Sequence, residues 1–263
     1  MIDGALPYLR CPVCRESLSR TDRSLRCPRG HSFDMARQGY ADLTAGRMPH
    51  VGDTAEMVAD RAAFLAAGHY DFIAEALARS SAGDGLVLDA GTGTGDYLAR
   101  VLDALPATTG LGMDVSKPAL RRAARVHPRA AAVLADLWGP LPVASGAASV
   151  ILNVFAPRNG EEFRRVLRPG GILLVVTPAA DHLVELVEAY GMIGVDPDKS
   201  GKVSQALGDH FTAGSTHTLR RELKLTAAEA HTLIGMTPSA RHMPKFPDKD
   251  VTVTAAVELT LYR

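Results

Sequence analysis

Only three cysteines occur in the 263 residues. An odd, small count of this kind leaves no room for a disulfide framework. No apolar run approaches the 18 or more residues of a membrane span, the best being Gly171–Val176 and its flanks. The N-terminal Met-Ile-Asp-Gly-Ala-Leu-Pro lacks a basic stretch followed by an apolar one, so no signal peptide is expected and a cytoplasmic location is. Net charge is also missing, with 29 basic residues against 29 acidic, which argues against a whole-molecule electrostatic grip on nucleic acid. What remains, 46% hydrophobic and 22% charged, is an ordinary globular composition and excludes disorder, collagen and coiled coil. The length fits one to two domains.

The three cysteines all lie in the first 27 residues, as Cys11-Pro-Val-Cys14 and Cys27-Pro-Arg-Gly-His31. With His31 they supply three thiolates and one imidazole, the donor set of a closed tetrahedral zinc site. Four protein ligands leave no open position for catalysis, so the metal is expected to be structural. Three unrelated thiols and a surface histidine are the bland alternative, but two paired turns rarely arise by accident. A module of this size lacks a core of its own, and the ion must supply much of its folding energy.

Charge is clustered although it sums to zero. Residues 1–50 hold eight arginines and five acids, including Arg10, Arg15, Arg20, Arg23, Arg26 and Arg29 of the cysteine module. Residues 117–129 hold Lys117, Arg121, Arg122, Arg125 and Arg129 with no acid. Both stretches are candidate nucleic-acid contacts or, equally, solvated surface.

The sequence divides into a zinc-binding module at 1–36, a helical connector at 37–85 and an α/β domain at 86–263. Residues 36–52 look like a linker by composition. Asp53-Thr54-Ala55-Glu56 opens a helix ending near Gly68, and a second helix covers about 69–79. From Leu86, apolar strands at 86–90, 109–114, 131–135, 148–154 and 172–177 alternate with helices at about 95–105, 117–127, 159–167 and 181–190. Two further strands, 215–225 and 251–262, flank a helix at 226–235. Seven strands in this order predict an open, doubly wound parallel sheet with a late hairpin-like pair at its edge.

Ligands of such sheets sit at the carboxyl ends of the strands. The first of these ends reads Asp89-Ala90-Gly91-Thr92-Gly93-Thr94-Gly95. Its glycines permit a tight turn and close approach of a ligand. The spacing is Gly-x-Gly-x-Gly, not the dinucleotide Gly-x-Gly-x-x-Gly, which disfavours a dehydrogenase. An acid before the turn suits a positive amino group. Asp114 ends the second strand, where a carboxylate accepts from ribose hydroxyls, and Asp136 ends the third, where one accepts from an adenine amino group. Each acid alone reads as a surface cap. Together with the turn they point to S-adenosylmethionine.

With these residues the chain resembles the class I S-adenosylmethionine-dependent methyltransferases, whose Rossmann-like sheet has seven strands. Over nearly its full length it resembles the 23S rRNA (guanine-N1)-methyltransferases, including the tylosin-resistance branch. The likeness runs through the Cys-x2-Cys…Cys-x3-His set, Phe33-Asp34-Met35-Ala36, Ala67-Gly68-His69-Tyr70, Asp114-Val115-Ser116-Lys117, Asn153-Val154-Phe155-Ala156-Pro157-Arg158-Asn159 and Arg168-Pro169-Gly170-Gly171. Thr92 and Tyr97 depart from the family pattern and are expected to alter packing more than cofactor choice. The resemblance implies that Tyr70, Gly93, Thr94 and His182 lie against the cofactor. Asp89, Gly91, Gly95, Asp114 and Asp136 follow the general class pattern. It further implies a homodimer, a zinc module that recognises RNA, and a target in a 23S rRNA hairpin loop that lines the peptide exit tunnel. Macrolide resistance of the tylosin type would be the consequence.

Guanine N1 carries a proton on the pairing edge, so the base must be unpaired or flipped before transfer. Asn153, Phe155 and Arg158, at and just after the end of the fourth strand, are the candidate catalytic residues: Asn153 to bond the base edge, Phe155 to stack on it or, equally, to fill the core, and Arg158 or a backbone N–H to hold O6. No general base stands out. A small-molecule methyltransferase of natural-product biosynthesis with a structural zinc module, and a non-catalytic zinc RNA-binding protein, are the competing readings.

Overall fold

The computed structural model describes residues 2–46, 49–241 and 247–263. The chain starts with the one-turn helix α1 (Ile2–Ala5), followed by the short antiparallel strands β1 (Ser19–Thr21), β2 (Ser24–Arg26) and β3 (Ser32–Asp34). β4 (Ala41–Asp42), α2 (Ala55–Ala66) and α3 (Asp71–Ser80) lead into the alternating part. That part runs β5 (Gly85–Ala90), α4 (Asp96–Ala104), β6 (Thr108–Asp114), α5 (Lys117–Ala123), β7 (Ala130–Leu134), β8 (Ala148–Val154), α6 (Gly160–Val166), β9 (Leu167–Pro178), α7 (Val184–Tyr190), α8 (Lys199–Leu207), β10 (Ala213–Leu225), α9 (Ala227–Gly235) and β11 (Val251–Tyr262).

The seven expected strands form one sheet in the order β10-β11-β9-β8-β5-β6-β7, and β4 adds an eighth at the edge. β5 to β9 run parallel, while β11 inserts antiparallel between β9 and β10. β7 and β8 are buried along their whole length. Helices on both faces cover them, which explains why their sequences are continuous apolar runs. The order of strand addition reverses at β5, whose parallel neighbours are β6 on one side and β8 on the other. The crevice above that switch point is where ligands bind in such sheets.

The linker expected at 36–52 is corrected in part. Ala41 and Asp42 pair with Val133 and Leu134 as β4, the Leu43 N–H donates to the Leu134 carbonyl at 3.0 Å, and Tyr40, Ala41 and Leu43 are buried. A two-residue strand carries no periodicity; the free edge of β7 creates it. α8 was not foreseen either: it is polar apart from Val203 and Leu207, the pair one turn apart that it buries. α2 is capped one residue later than Asp53, the Thr54 hydroxyl accepting the Met57 N–H, and starts at Ala55.

The cysteine module is joined to the sheet domain by its core. Leu9, Leu18, Leu25 and Phe33 belong to the same apolar cluster as Leu88, Met113 and Val133 of the sheet. Arg15 donates to the carbonyls of Leu141 and Val143 at 2.8 and 3.1 Å, and Arg10 N–H to Pro142 at 2.9 Å.

Candidate functional site

The sulfur atoms of Cys11, Cys14 and Cys27 and a ring nitrogen of His31 all lie within 4.8 Å of one another. Cys14 and Cys27 are 3.6 Å apart and Cys27 lies 3.2 Å from His31 Nδ1. Ligands bound at about 2.3 Å in a tetrahedron stand roughly 3.8 Å apart, so the donor set and its spacing fit zinc. Gly30, at φ +84°, turns the chain so that His31 faces the cysteines.

Above the carboxyl ends of β5 and β8 lies the glycine turn. Gly91, Gly93 and Gly95 all have positive φ. A Cβ on Gly91 would come within 2.3 Å of that of Ala156, and one on Gly95 within 2.9 Å of Val126 Cγ1. Asp114 ends β6 and accepts the N–H groups of Gly93 and Ser116 at 2.9 and 2.8 Å. Asp89 is buried beneath the turn and accepts the Thr92 hydroxyl at 2.7 Å; burial pushes its carboxyl up to about 7. Thr92 closes against Gly112, where a Cβ would meet it at 2.8 Å. The departure at Thr92 is thus matched by a glycine on β6. The Thr94 hydroxyl donates to Asp96 in the first turn of α4.

Beside the turn is a cavity of about 360 Å³ lined by Arg61, Tyr70, Tyr97, Phe155, His182 and residues from 192–199 and 236–239. Tyr70, Phe155 and His182 form an aromatic cluster with ring centroids 6.0–6.4 Å apart. Phe155 holds φ +52°, a conformation a bulky residue rarely adopts, and is 38% exposed at the cavity. Backbone strain of this kind concentrates at functional sites. His182 accepts the Ala256 N–H at Nδ1, and burial lowers its pKa to about 4, so it is neutral with its proton on Nε2. Arg61, on α2, went unnoticed in the sequence. Its Cδ would lie 3.5 Å from a Cβ on Gly93, its Nη2 donates to Asp53 and the Met236 carbonyl, and its buried Nε has no acceptor among the described residues.

Other candidates are placed differently. Asn153 is fully buried and its amide nitrogen donates to the carbonyls of Ala90 and Pro157, at 3.2 and 2.9 Å, tying the end of β8 to the end of β5. Arg158 does not line the cavity; its buried Nε and Nη2 find no acceptor among the described residues, and burial lowers its pKa. Asp136 pairs with His50 at 2.7 Å and accepts the Trp138 N–H at 3.0 Å, beside a second cavity of about 330 Å³ that includes Pro12 of the cysteine module. Of the basic residues, Arg129 is structural, donating to the carbonyls of Leu102, Leu105 and Thr108, and Lys117 pairs with Asp42. Arg23, Arg26, Arg29, Arg121, Arg122 and Arg125 are exposed.

Fold, turn and strand-end acids define a class I methyltransferase whose methyl donor is S-adenosylmethionine, preceded by a zinc ribbon. Residues 9–45 match the zinc-ribbon family model described as RlmA, N-terminal, and residues 87–171 match the methyltransferase domain. A relative from Micromonospora griseorubida, provisionally named a 23S rRNA (guanine-N(1)-)-methyltransferase, is 55% identical over 98% of this chain and 98% of its own. A Streptomyces fradiae relative named 23S rRNA (guanine(748)-N(1))-methyltransferase is 50% identical over 92% of this chain and 89% of its own. The chain belongs to the family of 23S rRNA (guanine-N1)-methyltransferases. Among solved structures, a chain of the Haloferax volcanii complex of the Trm112 activator with a methyltransferase has TM-score 0.53 at 16% identity, covering 81% of this chain and 98% of that one. The Bacillus subtilis YcgJ protein has TM-score 0.51 at 13% identity, covering 73% of this chain and 96% of that one. These two likenesses concern the fold alone.

Proposed function

We propose that this enzyme transfers a methyl group from S-adenosylmethionine to N1 of a guanine in a hairpin loop of 23S rRNA. The observation that carries the reading is the 50% identity, over 92% of the chain, to the S. fradiae enzyme whose name specifies methylation of guanine N1 in 23S rRNA. The zinc ribbon supports an RNA over a small-molecule substrate, since it exposes Arg23, Arg26 and Arg29. The tylosin-branch resemblance supports macrolide resistance as the outcome and a homodimer as the working form. No helix among the described residues is long and apolar enough to cross a membrane, and a ribosomal RNA substrate supports a cytoplasmic location.

S-adenosylmethionine supplies an electrophilic methyl carbon on a sulfonium. Gly91, Gly93 and Gly95 would give it backbone room, Asp114 would hold the ribose, and Asp89, Thr94, Tyr70 and His182 would hold the amino-acid end. The unsatisfied Nε of Arg61, close to Gly93, is a donor suited to its carboxylate. Asp136 would face the adenine once released from His50. Phe155 presents a ring face on which the target base stacks. Asn153 acts as a positioning residue, holding the 154–157 turn that carries Phe155. Arg158, which does not line the cavity, is given no direct contact with the base.

Primer extension tests the reading. Reverse transcriptase should stop one nucleotide before a specific guanine in 23S rRNA treated with enzyme and donor. Full-length extension, with methyl transfer to small metabolites instead, would refute it.

A further inference from the structure

One wall of the cavity comes from the segment Met192–Lys199 between α7 and α8. Among the described lining residues, Asp196 is the only carboxylate and Lys199 the only lysine. The Lys199 N–H donates to the Asp196 carbonyl at 2.9 Å, closing a turn that brings both residues to the same wall. Asp196 accepts from Lys202 Nζ and, at 2.9 Å, from the Asp198 N–H. A carboxylate offers about four lone-pair sites, so acceptor capacity remains. Those two contacts also hold its pKa below the ordinary value, which keeps it an acceptor at neutral pH. Lys199 makes no ion pair or side-chain hydrogen bond among the described residues, leaving its ammonium available as a donor.

Guanine N1 sits between an acceptor, O6, and a donor, the exocyclic 2-amino group. We propose that Asp196 accepts from the 2-amino group of the target base and Lys199 donates to its O6, so that guanine is read on both sides of N1 while N1 itself stays open to the methyl donor. The proposal rests on the guanine-N1 reading above and adds its specificity determinants. Adenine would leave Asp196 without a donor and set its own 6-amino donor against the ammonium, so the same pair rejects it. The ammonium also stabilises the negative charge that develops on O6 as the N1 proton leaves to water. The N1 electron pair then forms the bond to the methyl carbon, and the pair of the broken carbon–sulfur bond stays on sulfur.

The test uses the full-length enzyme and a 23S hairpin transcript carrying either guanine or hypoxanthine at the target position, with labelled methyl incorporation as the readout. Hypoxanthine keeps N1–H and O6 but lacks the 2-amino group. Wild type should prefer guanine by about 10- to 100-fold in kcat/KM, the range of a hydrogen bond to a charged group. Asp196→Ala should bring the two within about threefold, and Asp196→Glu should recover part of the preference. Lys199→Met should lower kcat about 100-fold on both bases, as loss of an oxyanion donor does, with KM for RNA within about threefold and the guanine preference kept. A wild type indifferent to the 2-amino group, an Asp196→Ala variant with the wild-type preference, or a Lys199→Met variant with kcat within about threefold overturns the proposal. A wild type that methylates neither transcript overturns the rRNA reading instead.

Discussion

His182 accepts the backbone N–H of Ala256 at Nδ1, across 3.2 Å, and lies 3.4 Å through Nε2 from the Tyr70 hydroxyl. The first contact settles the tautomer, and the second then has the imidazole donating to the phenol oxygen. Burial keeps this histidine neutral down to about pH 4, against an ordinary 6.5. The unfolded chain therefore binds one more proton than the folded one between those values. Stability contributed by neutral His182 is full above pH 6.5 and is lost as pH falls toward 4. His182→Gln should flatten the acid limb of a Tm-against-pH curve while leaving Tm at pH 8 lower or equal. An acid limb identical to wild type would show that the histidine is not buried neutral.

Asp89 works in the opposite direction. Its folded pKa of about 7 exceeds the ordinary 3.8 because burial disfavours the charge. The folded state holds the extra proton between those values, and stability falls as pH rises through 7. Above that pH the ionised carboxylate costs on the order of a few kcal/mol. Asp89→Asn keeps an acceptor for Thr92 without the charge. The variant should melt higher than wild type at pH 8, with the gain shrinking toward pH 5, and should bind S-adenosylmethionine at least about tenfold more weakly by calorimetry. A variant that melts lower at pH 8 would contradict the burial argument.

Much of this site was legible in the sequence because its signals are local. The glycine turn, the acids at the strand ends and the four zinc ligands each occupy a few consecutive residues whose types are dictated by backbone space or metal chemistry. What the sequence hides depends on partners far along the chain. Arg61 reads as one more polar residue on an amphipathic helix until α2 lays it over Gly93. Arg129 sits in a basic run and looks like an RNA contact, yet it holds the carbonyls that end α4 and begin β6. The strand at 41–42 exists because β7 has an open edge.

Zinc removal separates the two modules energetically. Leu9, Leu25 and Phe33 share a cluster with sheet residues, so loosening the ribbon also exposes part of the main core. Cys14→Ala, or chelation of the wild type, should release the metal and lower Tm by several degrees, an effect of a few kcal/mol on a chain this size. Because none of residues 91–95 belongs to the shared cluster, S-adenosylmethionine affinity should change by less than about threefold, while affinity for the rRNA hairpin drops. Loss of cofactor binding in parallel with zinc would mean that the ribbon holds the catalytic site as well.

Arg61 provides a test of the cofactor's orientation that is independent of catalysis. Its Nη2 is anchored by Asp53 at 2.8 Å and by the Met236 carbonyl at 3.1 Å, which leaves the buried Nε beside Gly93 as the unmet donor. A buried N–H with no acceptor costs about 1–3 kcal/mol, and a carboxylate arriving there recovers it with a charge-assisted bond. Arg61→Met should weaken S-adenosylmethionine binding by about 10- to 100-fold in calorimetry. The decarboxylated donor, which lacks the anion, should bind wild type and variant alike. If the variant loses equal affinity for both compounds, the guanidinium acts by holding α2 against the 236–237 turn, and the carboxylate must be bound elsewhere.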